Sequence, residues 1–271
     1  MLRASAFGLF AALLIAAPVH AVTFMPYEAS YDLSLLSASG TIGPRAMDGI
    51  LEQRVTLTCG GWETRSRVLL TAVYRDDVSS TNERIFTSWE SQDGTQYRFA
   101  VETRKNDTVV EAFKGTAKLG PKGGEVTYEA PVEKGKKVRV PLPRDTFLPL
   151  SYARALVDHA VAGDVLFSGV VLNGASSHGP RILSTAIGLR DPQPAKPTKP
   201  ELDSNLLSGG WRMSFAFFNL FEKSDTPIFE TVLRQHESGV VDEITQTFSD
   251  FTIAAHLTRL KKIPAPACAR G

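Results

Sequence analysis

Period two dominates this chain. Tyr27, Ala29, Tyr31, Leu33 and Leu35 fall on one face of an extended run, and Glu28, Ser30, Asp32 and Ser34 on the other. That is the signature of a strand with one buried face. The same alternation returns at Leu51, Val55, Leu57 and Cys59, and at Tyr97, Phe99 and Val101. Turn signals separate the runs: Asp93-Gly94, Asn106-Asp107, Asn173-Gly174 and Ser238-Gly239. In all there are more than about ten short strands. Strands apolar on one face must bury that face against one another. The expectation is an all-β or strongly β-dominated fold. It is a long antiparallel β-spiral or open barrel, with one main helix packed against it.

Few segments leave this pattern. Ala153, Leu156, Val157 and Ala160 recur at helical spacing. Pro149 and Ser151 stand near the start, where proline is tolerated and serine can cap, and Gly163 stands where helices close. A helix over residues 151–162 is expected, its apolar stripe toward the sheet. Near the C-terminus, Ile244 and Phe248 are out of phase with Phe251, Ile253, Ala255 and Leu257. A slip of one residue exchanges the two faces, so a bulge or sharp bend is expected at Ser249-Asp250. Gly60-Gly61 is expected to reverse the chain through the positive φ open to glycine. Lys134, Lys136, Lys137 and Arg139 form a basic cluster, read as a solvated hairpin rim. The proline-rich run Asp191 to Pro200 is read as a surface loop inside one domain.

The N-terminus sets the compartment. Arg3, an apolar run from Ala6 to Ala17 and Val19-His20-Ala21 have the form of a secretory leader. The run is too short to span a bilayer. No cysteine follows the expected cut, so the product is not read as a lipoprotein. The division is a leader over 1–21 and a single β-spiral domain over 22–271, periplasmic and not membrane-spanning. Removing the leader takes away Arg3, its one charged side chain, and lowers the formal net charge from +1 to zero. A neutral chain offers no electrostatic case for nucleic acid.

Export also governs the two cysteines, Cys59 and Cys268. In an oxidising compartment they most simply form one disulfide, and free or intermolecular thiols are the alternative. A bridge of such length is worth about 5 kcal/mol in the chain-entropy treatment.

The sequence carries no motif of a known chemistry. The nucleophile elbow, the phosphate-cradling loop, the dinucleotide fingerprint and the zinc-protease helix are missing from the sequence. His159, His178, His236 and His256 are scattered, with no pair at metal-ligand spacing. No catalytic residue, metal site or cofactor is assigned, and the chain is read as non-enzymatic. The rival is a secreted hydrolase whose Ser, His and acid meet only in the fold. Trp211 to Phe221 is the most apolar stretch. Trp211, Met213, Phe215 and Phe217 share one face, and Phe218 lies on the other. A strand greasy on both faces is usually central or helix-covered. The alternative is that Trp211, Met213, Phe215, Phe217 and Phe218 wall an apolar ligand cavity.

Several segments together resemble a known family. They are Tyr27, Tyr31, Leu33 and Leu35 in the first strand; Cys59-x-Gly61-Trp62; Ser88-Trp89-Glu90-Ser91-x-Asp93-Gly94-x-x-Tyr97-x-Phe99; Leu142-Pro143 to Leu156; and Cys268. The chain resembles the EipB family of periplasmic cell-envelope integrity proteins of alphaproteobacteria. The resemblance implies a β-spiral similar to the lipoprotein carriers LolA and LolB, and a disulfide that falls on Cys59 and Cys268. It implies a role in envelope integrity without an assigned enzymatic activity. Expected partners are a lipid, a lipoprotein or another periplasmic protein. Asp145-Thr146-Phe147-Leu148-Pro149 departs from the family pattern.

Overall fold

The structure is a computed structural model and describes residues 24–40, 43–130, 136–191, 201–222 and 224–268. The expected leader, Lys134 of the basic cluster and residues 192–200 of the proline-rich run lie outside the described residues.

The alternating runs become one antiparallel sheet of fourteen strands. The first eight are β1 (Tyr27–Ala38), β2 (Ala46–Leu57), β3 (Gly61–Val73), β4 (Ser79–Ser91), β5 (Gln96–Lys105), β6 (Thr108–Gly120), β7 (Gly123–Glu129) and β8 (Lys137–Leu142). After the helix α1 (Pro149–Ala162) come β9 (Leu166–Val171), β10 (Arg181–Asp191), β11 (Gly210–Asn219), β12 (Phe229–His236), β13 (Val241–Thr247) and β14 (Phe251–Lys262). The order is β8-β7-β6-β5-β4-β3-β2-β1-β14-β13-β12-β11-β10-β9. The chain thus meanders outward in two arms from a seam where its first strand pairs with its last. Tyr27 pairs with Lys262 and Ala38 with Phe251.

The two edges of this sheet, β8 and β9, are neighbours in sequence, and α1 lies between them. The sheet does not close by pairing β8 with β9. Instead Phe147, just after β8, forms a parallel bridge with β9. Its N–H donates to Val170 O at 2.8 Å, and its carbonyl accepts from Leu172 N at 2.9 Å.

Register assigns the faces. One face holds Tyr27, Ala29, Tyr31 and Leu33 of β1, opposite Val55 and Leu51 of β2 and Leu257 and Ala255 of β14. The helix fills the curl against this inner face. Its buried stripe is Tyr152, Leu156, Val157 and Ala160, and these share one cluster with Tyr31, Trp62, Trp211 and Met213. A second cluster, Tyr97, Phe99, Val101, Phe113, Val126 and Tyr128, is completed by Leu148 and Leu172 from the bridging segments.

Two local expectations change, and a third is narrowed. Ser151 does not cap the helix: the N-cap is Leu148, which makes no side-chain cap. At Ser249-Asp250 the expected bulge or sharp bend takes the second form. It is the turn between β13 and β14, with Phe248 N donating to Phe251 O. A two-residue turn inverts phase just as a bulge does. Gly60 and Gly61 are not among the positive-φ glycines. Gly61 is needed because a Cβ there would lie 2.2 Å from Glu90 O on β4. Gly163 does close the helix as expected, at φ 87° in the left-handed region. Lys137 and Arg139 belong to an edge strand, β8, and pair with Glu129 and Glu125 on β7.

Candidate functional site: the helix plug and the aromatic row

Glu90 sits at the inner end of β4 and is almost fully buried. The first N–H groups of a helix have no partner within it, and here a distant carboxylate supplies one. Glu90 Oε2 accepts from Leu150 N at 2.8 Å. Its Oε1 accepts from Ser151 N at 2.9 Å and from Ser151 Oγ at 2.5 Å. Negative charge at this end also suits the helix dipole. Burial nevertheless pushes the Glu90 carboxyl above its usual range, against these hydrogen bonds and the nearby Arg154 charge.

The hairpin that carries Glu90 is shaped to meet the helix. Ser91 Oγ donates to Asp93 Oδ1 at 2.5 Å and accepts from Gln96 N at 2.9 Å. Gly94 has φ 67°, and a Cβ there would reach 2.5 Å from Ser151 Oγ. On the same side the sulfurs of Cys59 and Cys268 are bonded, with Cα atoms 5.5 Å apart across 209 positions. Gln92 Nε2 reaches both Thr58 O and Cys59 O at 3.4 Å. Ile263 N donates to Pro26 O at 2.9 Å and lays the C-terminal tail along the seam. The disulfide and the helix cap therefore brace one end of the curl.

The other end differs. Trp211, Met213 and Phe215 are buried in the cluster that contains the helix. Phe217, on the same inner face, is only partly buried and begins a row of rings. Phe215 and Phe217 lie 6.3 Å apart by centroid, Phe217 and Phe229 4.2 Å, Phe229 and Phe248 6.3 Å, and Phe248 and Phe251 4.7 Å. Each ring beyond Phe215 is incompletely buried. Phe218 projects from the opposite face, paired with Ile182 rather than Leu183. The row was not visible in sequence. Phe229, Phe248 and Phe251 belong to three different elements, and only the β12–β13–β14 register aligns them. A loop covers the second cluster: Tyr97 Oη donates to Asn173 O at 3.0 Å and Arg84 Nη2 to Ala175 O at 2.5 Å.

A polar cluster lies on β12 and β13. Arg234 forks onto Asp242, with Nε 2.8 Å from Oδ1 and Nη2 2.6 Å from Oδ2. His236 Nε2 lies 3.2 Å from Asp242 Oδ2, off the line of a hydrogen bond. Burial would raise the Asp242 carboxyl, but His236 and the Arg234 fork outweigh it and hold it low. Ser238 is nearby in sequence, yet its hydroxyl donates to Leu206 O at 2.6 Å. No group of three or more His, Cys, Asp or Glu among the described residues is placed to hold a metal. No helix among them is long and apolar enough to cross a membrane. His159 contacts Asp164 at 2.6 Å and stacks on Phe167 at 4.2 Å.

An open antiparallel barrel, plugged by one helix and strapped by one disulfide, is thus the class of protein. The chain belongs to the EipB-like family, whose model matches residues 18–264. It is similar to the cell envelope integrity protein EipB of Brucella abortus (strain 2308). The two are 22% identical over 248 residues, covering 90% of this chain and 86% of that protein. Its fold is similar to that of a beta-barrel-like protein of a domain of unknown function from Brucella abortus, known from a crystal structure. The TM-score is 0.82 at 22% identity, covering 90% of this chain and all of that one.

Proposed function

We propose that this is an exported, non-catalytic protein that supports cell-envelope integrity by holding an apolar segment. That segment is an acyl chain, or an apolar stretch of a lipoprotein or envelope protein, lying on the Phe217–Phe229–Phe248–Phe251 row. The observation that carries the reading is the row itself: four rings in mutual contact on an inner face, none fully covered. Apolar surface left open inside a curl is a place for a ligand rather than a support for the fold. Trp211, Met213 and Phe215 are its rigid backing. The relative's name supports the envelope role, and the disulfide and the leader-like 1–21 segment support export with cleavage before Val22.

The test has two arms. Purified protein is titrated with a dansyl-labelled fatty acid, and protein taken from cells is extracted with solvent for co-purified lipid. Saturable binding or a bound lipid is expected. Failure of both refutes the apolar-segment reading. Unchanged detergent sensitivity in a deletion strain refutes the envelope role.

A further inference from the structure

The outer face of β2–β7 carries a trough of about 620 Å³ on the side of the sheet away from the helix. Register builds it from two neighbouring rows of side chains. One row runs Arg54, Arg65, Thr87, Ala100, Lys114 and Glu129 across six strands. The short Thr87 and Ala100 make the floor. Arg65 and Lys114 make the walls, about 14 Å apart at three strand spacings. The next row sets Trp89 beside Arg98, whose guanidinium lies 4.3 Å from the ring centroid.

The charges here are unbalanced. Arg54 and Arg65 stand directly opposite each other, an arrangement that costs stability in a sheet. Arg54 is answered by Glu28, and Lys114 by Glu129. Arg65 and Arg98 have no carboxylate partner among the described residues. Two carboxylates, Glu63 and Glu129, also line the trough.

We infer that this trough binds an anionic oligosaccharide of two or three rings, bearing carboxylate or phosphate groups. Arg65 and Arg98 take the acidic groups, because planar guanidinium donors match them. Trp89, partly buried and partly covered by the Arg98 guanidinium, leaves the rest of its ring for the apolar C–H face of a sugar ring. Hydroxyls of Thr56, Thr87, Thr116 and Thr127 and the two carboxylates suit sugar hydroxyls. The same carboxylates disfavour a dense polyanion such as nucleic acid. The inference is independent of the proposed apolar site, which lies on the other face of the sheet.

Tryptophan fluorescence tests it. Trp62 and Trp211 are buried, so Trp89 is the tryptophan a ligand on the outer face can perturb. The protein is titrated with trigalacturonate, with maltotriose and with inorganic phosphate. A saturable change is expected with trigalacturonate. It should weaken at least tenfold in an Arg65→Gln/Arg98→Gln variant that melts like the parent, and vanish in Trp89→Phe. No saturable change, or an undiminished one in the double variant, overturns the site. An equal response to maltotriose overturns the role of charge. An equal response to phosphate alone overturns the sugar and leaves only an anion site.

Discussion

The two ends of the inner face are built from the same strands and end differently. At one end β1, β11 and β14 meet α1, and Tyr31, Met213 and Leu260 are almost fully buried. At the other end β11, β12 and β14 present Phe217, Phe229 and Phe251 with part of each ring uncovered. The chemistry of the side chains is alike at both ends. What differs is whether the chain supplies its own cover. Where it does, apolar residues hold the fold, and burial of a large side chain contributes about 1.5–3 kcal/mol. Where it does not, the same residues are free to hold something else.

This contrast predicts unequal costs. Leu156→Ala on the helix and Phe215→Ala behind the row should each destabilise by about 3–5 kcal/mol, since both leave cavities in packed surroundings. Urea denaturation would measure it, and a cost under about 1 kcal/mol would mean the helix end is not the packed one. Cys268→Ser should cost about 2–4 kcal/mol. The strap braces the helix end, so fatty-acid binding at the row should persist in this variant at temperatures where it stays folded. Glu90→Ala should cost about 1–3 kcal/mol, because it strands the Leu150 and Ser151 N–H groups.

Glu90 also carries a pH signature. Its folded pKa is raised, so its contribution to stability is fully present below the ordinary glutamate value of 4.5 and declines as pH rises through the folded value. The advantage of the native protein over Glu90→Gln should therefore shrink from pH 4 toward neutrality. An advantage that grows over that range would mean the charged carboxylate is the favoured form.

How much of this was legible in the sequence follows from what each feature depends on. Strand alternation is local, so β1, β5 and the helix stripe could be read directly. The helix cap was not local. Glu90 lies 60 positions before Leu150, and Ser151, a plausible cap by position, proved to be a partner of that carboxylate. Gly61 is required through a property the sequence does not display: the strand beside it, not its φ, forbids a side chain. The aromatic row escaped for the same reason. Trp211, Met213, Phe215, Phe217 and Phe218 lie in one contiguous stretch, whereas Phe229, Phe248 and Phe251 join Phe217 only through register across elements.

The sharpest test of the contrast lies within that row. Phe215 and Phe217 are two residues apart on one face of β11, and Phe229 stacks on Phe217 at 4.2 Å. Phe229→Ala removes a ring that is only partly covered, so little packing is lost beyond a stacking contact of about 0.5–1.5 kcal/mol. Stability should fall by about 1 kcal/mol, well below the cost at Phe215. Affinity for the dansyl fatty acid should fall about tenfold, equivalent to about 1.4 kcal/mol of lost contact. The two variants would then separate in opposite senses, Phe215→Ala mainly in denaturation and Phe229→Ala mainly in binding. If Phe229→Ala costs as much stability as Phe215→Ala and leaves binding unchanged, the row is core like the rest, and the ligand, if one binds inside the curl, lies elsewhere. The expected split arises because a ring already facing solvent on one side has little to lose on truncation. A ligand laid on that side has its whole contact to lose.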